Sequence, residues 1–206
     1  IEHSVNIKES AIPSANPVPS IINNPALAGK PATGSTDITI PQSVNLDLQT
    51  GIMANTVAFA NVRWVDWSSF SIQPYKFGLA SKNATVQAQT GKSEFDLVAY
   101  TDDQISATVG VGRKLNDQWA GNVSVGWDSG AGNPVTTLGP TEGYWNVGLG
   151  AQFSPTPQTF IAGGVKYFWL GDAKAQAASQ FDTPNYVADF ESNYAIAYGL
   201  KLGYRF

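Results

Sequence analysis

Residues 195–206 read AIAYGLKLGYRF. Laid out as an extended strand, Ile196, Tyr198, Leu200, Leu202, Tyr204 and Phe206 share one face. Ala195, Ala197, Gly199, Lys201, Gly203 and Arg205 share the other. The first face is apolar up to the final residue; the second is small or cationic. Either a second layer of protein or lipid has to cover the apolar face, and the rest of the chain decides between them.

The same period of two recurs along the chain, and helical periodicity does not. Ile105, Ala107, Val109 and Val111 alternate with Gln104, Ser106, Thr108 and Gly110. Trp119, Val123, Val125 and Trp127 alternate with Asn122, Ser124, Gly126 and Asp128. Trp145, Val147, Leu149, Ala151 and Phe153 alternate with Asn146, Gly148, Gly150 and Gln152. Val44, Leu46 and Leu48 stand against Asn45, Asp47 and Gln49, and Ile1, Val5 and Ile7 against Ser4, Asn6 and Lys8. About eight strands are predicted, roughly at 1–12, 36–50, 53–68, 94–114, 117–128, 142–154, 157–171 and 189–206.

Short and long connections alternate between these strands. TGIM (50–53), KLND (114–117) and SPTP (154–157) have the Gly, Pro, Asn and Asp content of tight turns. Segments 13–35, 69–93, 129–141 and 172–188 are long links. This is the connectivity of an outer-membrane barrel, with short periplasmic turns and longer external loops. Trp64, Trp127, Trp145 and Trp169 fall near the loop ends of their strands, and Trp119, Phe153, Tyr204 and Phe206 near the turn ends. Two aromatic levels separated by an apolar band match the girdles of such barrels. A soluble β-sandwich would bury the same aromatics in its core but gives no reason for loop lengths to alternate. The fold class expected is therefore all-β, an antiparallel transmembrane β-barrel.

Composition agrees and excludes other classes. Charged residues are 14% of the 206, the net charge is −4, and there is no cysteine. Nucleic-acid binding lacks its basic footprint, and disulfides and thiolate metal sites are excluded. No apolar run is long enough for a transmembrane helix. The only histidine, His3, lies on the apolar row of the first predicted strand without a nucleophile to serve. No His/Asp/Glu cluster has metal-ligand spacing. Neither catalysis nor a cofactor is expected.

WVDWSSF (64–70), ITIPQSVNLDLQTG (38–51), DDQISATVGVGRKLNDQWAGNVSVGWDSGAGNP (102–134), GYWNVGLGAQF (143–153) and the terminal GYRF, in this order and spacing, resemble the FadL-type outer-membrane transporters of long-chain fatty acids and hydrocarbons. The resemblance covers essentially the whole chain. It implies a barrel of about fourteen strands with an N-terminal plug, of which residues 1–206 form a carboxyl-terminal part, a single and partial barrel domain lacking the plug and first strands. The opening on Ile1 agrees with a processed, trimmed or incomplete chain. Asn24-Pro25-Ala26 matches a triplet of the family's plug but sits in a predicted outer loop and is read as a turn. The resemblance also implies outer-membrane localisation, contact with outer-membrane lipid, a hydrophobic small molecule as ligand, and recognition of Phe206 by the barrel-assembly machinery. Ligand would enter from outside and leave through an opening in the wall. The family's pocket lysine has Lys92 as its nearest counterpart.

Two strands carry lumen-side residues unsuited to a water-filled porin. In VAFANVRWVDW the inward row holds Phe59, Arg63 and Trp67; in TFIAGGVKYFW it holds Phe160, Lys166 and Phe168. An apolar tail gains about 25 cal/mol per Å² buried, and a carboxylate wants a charge-assisted partner. Phe59, Trp67, Phe160 and Phe168 suit the first need; Arg63, Lys166 and Lys92 suit the second. These rings and cations equally suit packing against a plug and pairing with Asp47 or Asp128. Fatty acids, alkanes and aromatic hydrocarbons all fit such a lumen. The loop 69–93, with Tyr75, Phe77, Leu79, Lys76, Lys82 and Lys92, reads as a solvated cap or as a patch that captures amphipathic acids. A self-contained eight-stranded barrel with a structural or adhesive role is the rival reading.

Overall fold

The computed structural model describes residues 2–8, 33–82, 84–139, 141–180 and 182–204. Its centre is a seven-stranded antiparallel meander. In chain order the elements are β1 (Glu2–Lys8), β2 (Thr33–Thr39), β3 (Ser43–Met53), β4 (Thr56–Val65), β5 (Ser71–Ile72), α1 (Tyr75–Ser81), α2 (Ala84–Thr90) and β6 (Val98–Ala99). They continue with β7 (Gln104–Lys114), β8 (Trp119–Asp128), β9 (Val135–Thr136), β10 (Tyr144–Phe153), β11 (Thr159–Leu170), β12 (Ala173–Gln176), β13 (Ala188–Phe190) and β14 (Tyr194–Tyr204). The large sheet runs β14-β11-β10-β8-β7-β4-β3.

The register lines up the alternating faces across all seven strands. One row runs Leu48, Ala60, Val109, Val125, Val147, Tyr167 and Ile196, each opposite the next. The rows beside it hold Val62, Val111, Val123, Leu149, Val165 and Tyr198, so the apolar face is one continuous band. Its side chains are exposed, Tyr198 at 88% and Leu200 at 75%. Among the described residues none covers this face, and a continuous exposed apolar band between two aromatic levels is the lipid face of an outer-membrane barrel. Trp127, Trp145, Trp169 and Tyr194 align at its loop end. Trp119 and Phe153 pair at its turn end with ring centroids 4.7 Å apart. Phe206 and the Asn24-Pro25-Ala26 triplet lie outside the described residues.

Several expected boundaries move. The first tight turn is at Ala54–Asn55, not at 50–53, because Asn55 tolerates the positive φ of 60° that the turn requires. The strand expected at 36–50 breaks at Ile40–Gln42, where Pro41 has no amide to donate. The strand expected at 94–114 begins at Gln104; upstream of it, Val98–Ala99 pairs with Ser71–Ile72. The strand expected at 189–206 divides at Glu191–Asn193, where Ser192 has a positive φ of 55°. Of the first expected strand, 1–12, the described part Glu2–Lys8 pairs with β2 and stays outside the large sheet. With seven strands, edges β3 and β14 run in the same direction. Antiparallel closure therefore needs an odd number of further strands, and the sheet is open.

Three long connections on the loop side interlock among the described residues. β12 pairs with β13 and, in parallel, with β9, around Val135, Ala173 and Ala175, with Ala188 and Phe190 packed against them. Gln176, fully buried, accepts from the Gln180 amide and donates to the carbonyls of Gln180 and Asn185. The loop carrying α1 and α2 is tied to the last loop by the Asp96–Ser179 bridge, the Ala99 amide to Ser179 Oγ (2.7 Å), and Lys92 to Asp182 (3.2 Å).

Candidate functional site: the inner face of the sheet

The face opposite the lipid band is built in rows. Nearest the loops stand Asn45, Arg63, Ser106 and Asp128. The next row holds Asp47, Asn61, Thr108, Gly126, Asn146 and Phe168. The third holds Gln49, Phe59, Gly110, Ser124, Gly148, Lys166 and Ala197. The fourth holds Gly51, Val57, Gly112, Asn122, Gly150, Gly164 and Gly199, and below it come Lys114, Ala120, Gln152, Ala162 and Lys201.

Many of the glycines are seats for a neighbour's side chain. A Cβ at Gly110 would collide with the Phe59 ring, and one at Gly203 with the Phe160 ring. A Cβ at Gly126 would lie 2.5 Å from the Asn146 amide, and one at Gly150 2.6 Å from that of Asn122. One at Gly148 would lie 2.7 Å from Ser124 Oγ and 3.1 Å from the Lys166 stem. Large inward groups thus lie flat across the wall and leave hollows between them. One hollow of about 830 Å³ at the turn end is lined by Phe59, Val57, Asn122, Gln152, Gly199 and Lys201, among others. A second, of about 380 Å³, is lined by Ser124, Gly148, Lys166 and Ala197; the two share Asn122, Gly163, Gly164 and Gly199. Lys114, Lys166 and Lys201 line this trough from the inward rows, and no carboxylate does.

The residues singled out in the sequence separate. Phe59 and Lys166 share a row and border the trough. Arg63 is two rows nearer the loops and donates to Asn45 Oδ1 (3.2 Å), while Asp47 accepts from Asn61 (2.7 Å). Trp67 follows the end of β4 in a 3-10 turn; it packs on Phe70 and Tyr100 and donates to Gln104, which donates to Asp128. Phe168 packs edge-on to Tyr144 at 5.3 Å. Phe160 lies at the turn end with Lys201 Nζ 5.8 Å from its ring centroid. Lys92 belongs to the loop layer, ion-paired with Asp182. The structure adds Lys201, Ser124 and Asn122 to the residues around the trough. The parity that marks Lys201 as inward was legible in the sequence; the depth at which Ser124 and Asn122 meet the lysines depends on register.

The loop-side groups titrate away from the ordinary. Asp103 is held below the usual carboxylate range, first by the Ser68 hydroxyl at 2.6 Å and then by the Ser68 amide and the Trp64 indole. Burial pushes Glu142 up, against a hydrogen bond from the Gly132 amide, and Asp102 and Asp128 push the same way. Among the described residues no cluster of His, Cys, Asp or Glu fits a metal ion.

The family model described as outer membrane protein transport protein (OMPP1/FadL/TodX) matches residues 4–206. A crystal structure of a Pseudomonas aeruginosa FadL homologue superposes with a TM-score of 0.51 at 16% identity, over 71% of this chain and 32% of that one. A structure titled CymD monoaromatic hydrocarbon channel gives a TM-score of 0.42 at 12% identity, over 67% of this chain and 34% of that one. The chain thus spans about a third of the length of the solved structures it matches. No curated protein matches it.

Proposed function

Because the chain belongs to the OMPP1/FadL/TodX family of outer-membrane transport proteins, we propose that it forms part of a passive passage for hydrophobic compounds, among them long-chain fatty acids. The carboxylate-free, lysine-lined trough on the inner face carries this reading. Its lipid face is solvated by outer-membrane lipid, and no chemical step is involved.

A fatty acid asks the protein for two things at once. Its tail asks for apolar contact, offered by Phe59 and Val57 at one side of the trough. Its carboxylate asks for a cation with donors near it. Lys166 has no ion pair among the described residues, and beside it, across Gly148, stands the buried Ser124, 6% exposed. We assign Lys166 and Ser124 to the head group and Phe59 to the tail. Arg63, Trp67, Lys92 and Phe168 act around this site through packing and loop geometry, and Phe160 acts at its turn-end mouth.

The domain is a partial barrel on this reading. Edges β3 and β14 are completed by strands outside the sheet, and the matched relative's greater length supports this. A self-contained eight-stranded barrel would need β1 beside β3, whereas β1 pairs with β2. Handling of Phe206 by the barrel-assembly machinery is part of the same proposal.

The test is uptake of dodecanoate by cells whose only such transporter is the native protein, with Lys166→Gln alongside. Uptake above transporter-free cells, reduced about tenfold in Lys166→Gln, supports the reading. Uptake no faster than in transporter-free cells would sink it.

A further inference from the structure

The trough is longer than one head-group seat, and its far end also carries a cation. Lys201 stands on β14, four residues beyond Ala197, which is the direct partner of Lys166. At about 3.4 Å per residue the two lysine positions are roughly 13 Å apart along the strand. Gly164 and Gly199 pair with each other between them.

Gly199 is unlike the seating glycines. A Cβ there would meet nothing within 4 Å, and its φ is not in the left-handed region. Glycine inside a strand is less stable than alanine because it gives up more conformational freedom on folding, and here neither packing nor backbone geometry offsets it. Gly164 also leaves the floor bare, as do Gly112 and Gly51 in the same row. Lys201 has no ion pair among the described residues, and its ammonium lies over the Phe160 ring. Lys114, at the same level, already holds Asp117 at 2.7 Å.

We propose that Lys201 forms a second anion-holding station at the turn end, taking the carboxylate of a single-chain amphiphile after it leaves Lys166 and Ser124. The inference rests on the transport reading above. Between the stations Gly164 on β11 and Gly199 on β14 present no side chain, so nothing on these two strands has to move aside. The surplus of cations over carboxylates keeps the potential favourable to an anion along the path.

The experiment uses the native protein in outer-membrane vesicles, with dodecanoate as probe and dodecanol as its uncharged counterpart. Lys201→Gln and Gly199→Leu are compared with wild type for equilibrium binding and rate of uptake, folding being checked by heat-modifiability on gels. Dodecanoate uptake slowed three- to tenfold in Lys201→Gln, with binding held within twofold and dodecanol uptake unchanged, supports the second station. Gly199→Leu should stop passage of both probes, since its side chain fills the floor without straining the strand. Wild-type dodecanoate rates in both variants would overturn the second station and leave the Lys166 seat standing. No dodecanoate binding by the wild-type protein would overturn both.

Discussion

The ring of Phe59 on β4 lies flat over Gly110, its direct cross-strand partner on β7. The Val123 carbonyl closes the same space from β8, 2.6 Å from where a Cβ at 110 would stand. A side chain at 110 therefore meets a ring that can turn and a backbone that cannot. Gly110→Val is expected to cost about 1–3 kcal/mol through overpacking. Phe59→Ala in the same chain should recover only part of that, because the carbonyl remains. Midpoints of thermal unfolding for the two single variants and the double variant measure the split; full recovery would mean that the ring alone sets the constraint.

Arg63 and Lys166 look alike in the sequence, each a cation among inward aromatics. Register separates them. Arg63 is held by Asn45 near the loop end, whereas Lys166 stands beside the trough without an ion pair among the described residues. Arg63→Gln should leave dodecanoate affinity within about twofold, and Lys166→Gln should lower it about tenfold. Equal losses in both variants would return Arg63 to the site.

The barrel class was legible because period two and alternating loop length are local signals that point the same way. The lipid row and both aromatic levels came from parity alone: once Val125 faces out, so do Val123 and Trp127. The site was legible only in part, because parity gives a residue's face and not its height. Arg63, Lys166 and Lys201 all share the inward face, yet only pairing across seven strands shows which of them surround one hollow. Trp67 was misplaced by extending a period past Val65, where the chain turns into a 3-10 helix. Lys92 was brought near the wall by starting β7 ten residues early, and it belongs to the loop layer. Breaks such as Ile40–Gln42 and Glu191–Asn193 follow from what the loops pack against, which no single strand pattern records.

The loop layer depends on Gln176 more than on its small apolar cluster. Its side-chain amide satisfies one backbone amide and two backbone carbonyls of the last loop. Gln176→Leu keeps similar bulk and leaves these groups unpaired, at about 2–5 kcal/mol of local stability. Hydrogen exchange should then quicken at Gln180 and Val187 while the amides of β8 and β10 keep their protection. Faster exchange throughout the sheet would mean that the layer and the wall unfold together.

Glu142 and Asp103 give the loop side opposite responses to pH. Asp103 is held below its ordinary value of 3.8, so its contribution is present above that value and is lost as pH falls through its folded pKa. Glu142 is pushed above its ordinary value of 4.5 by burial, so the folded loop binds its proton more tightly than the unfolded chain does. The stabilisation from the protonated form is full below 4.5 and is lost as pH rises through the folded pKa. Its Oε2 is buried without a partner among the described residues, and Asp102 and Asp128 add to burial in opposing ionisation, which the Gly132 amide on Oε1 only partly offsets. Amide exchange in the segment 129–143 is expected to be faster at neutral pH than just above pH 4.5, after correction for intrinsic rates. Glu142→Gln should remove that difference while keeping the bond from the Gly132 amide. An unchanged pH dependence in Glu142→Gln would place the titrating group elsewhere in the loops.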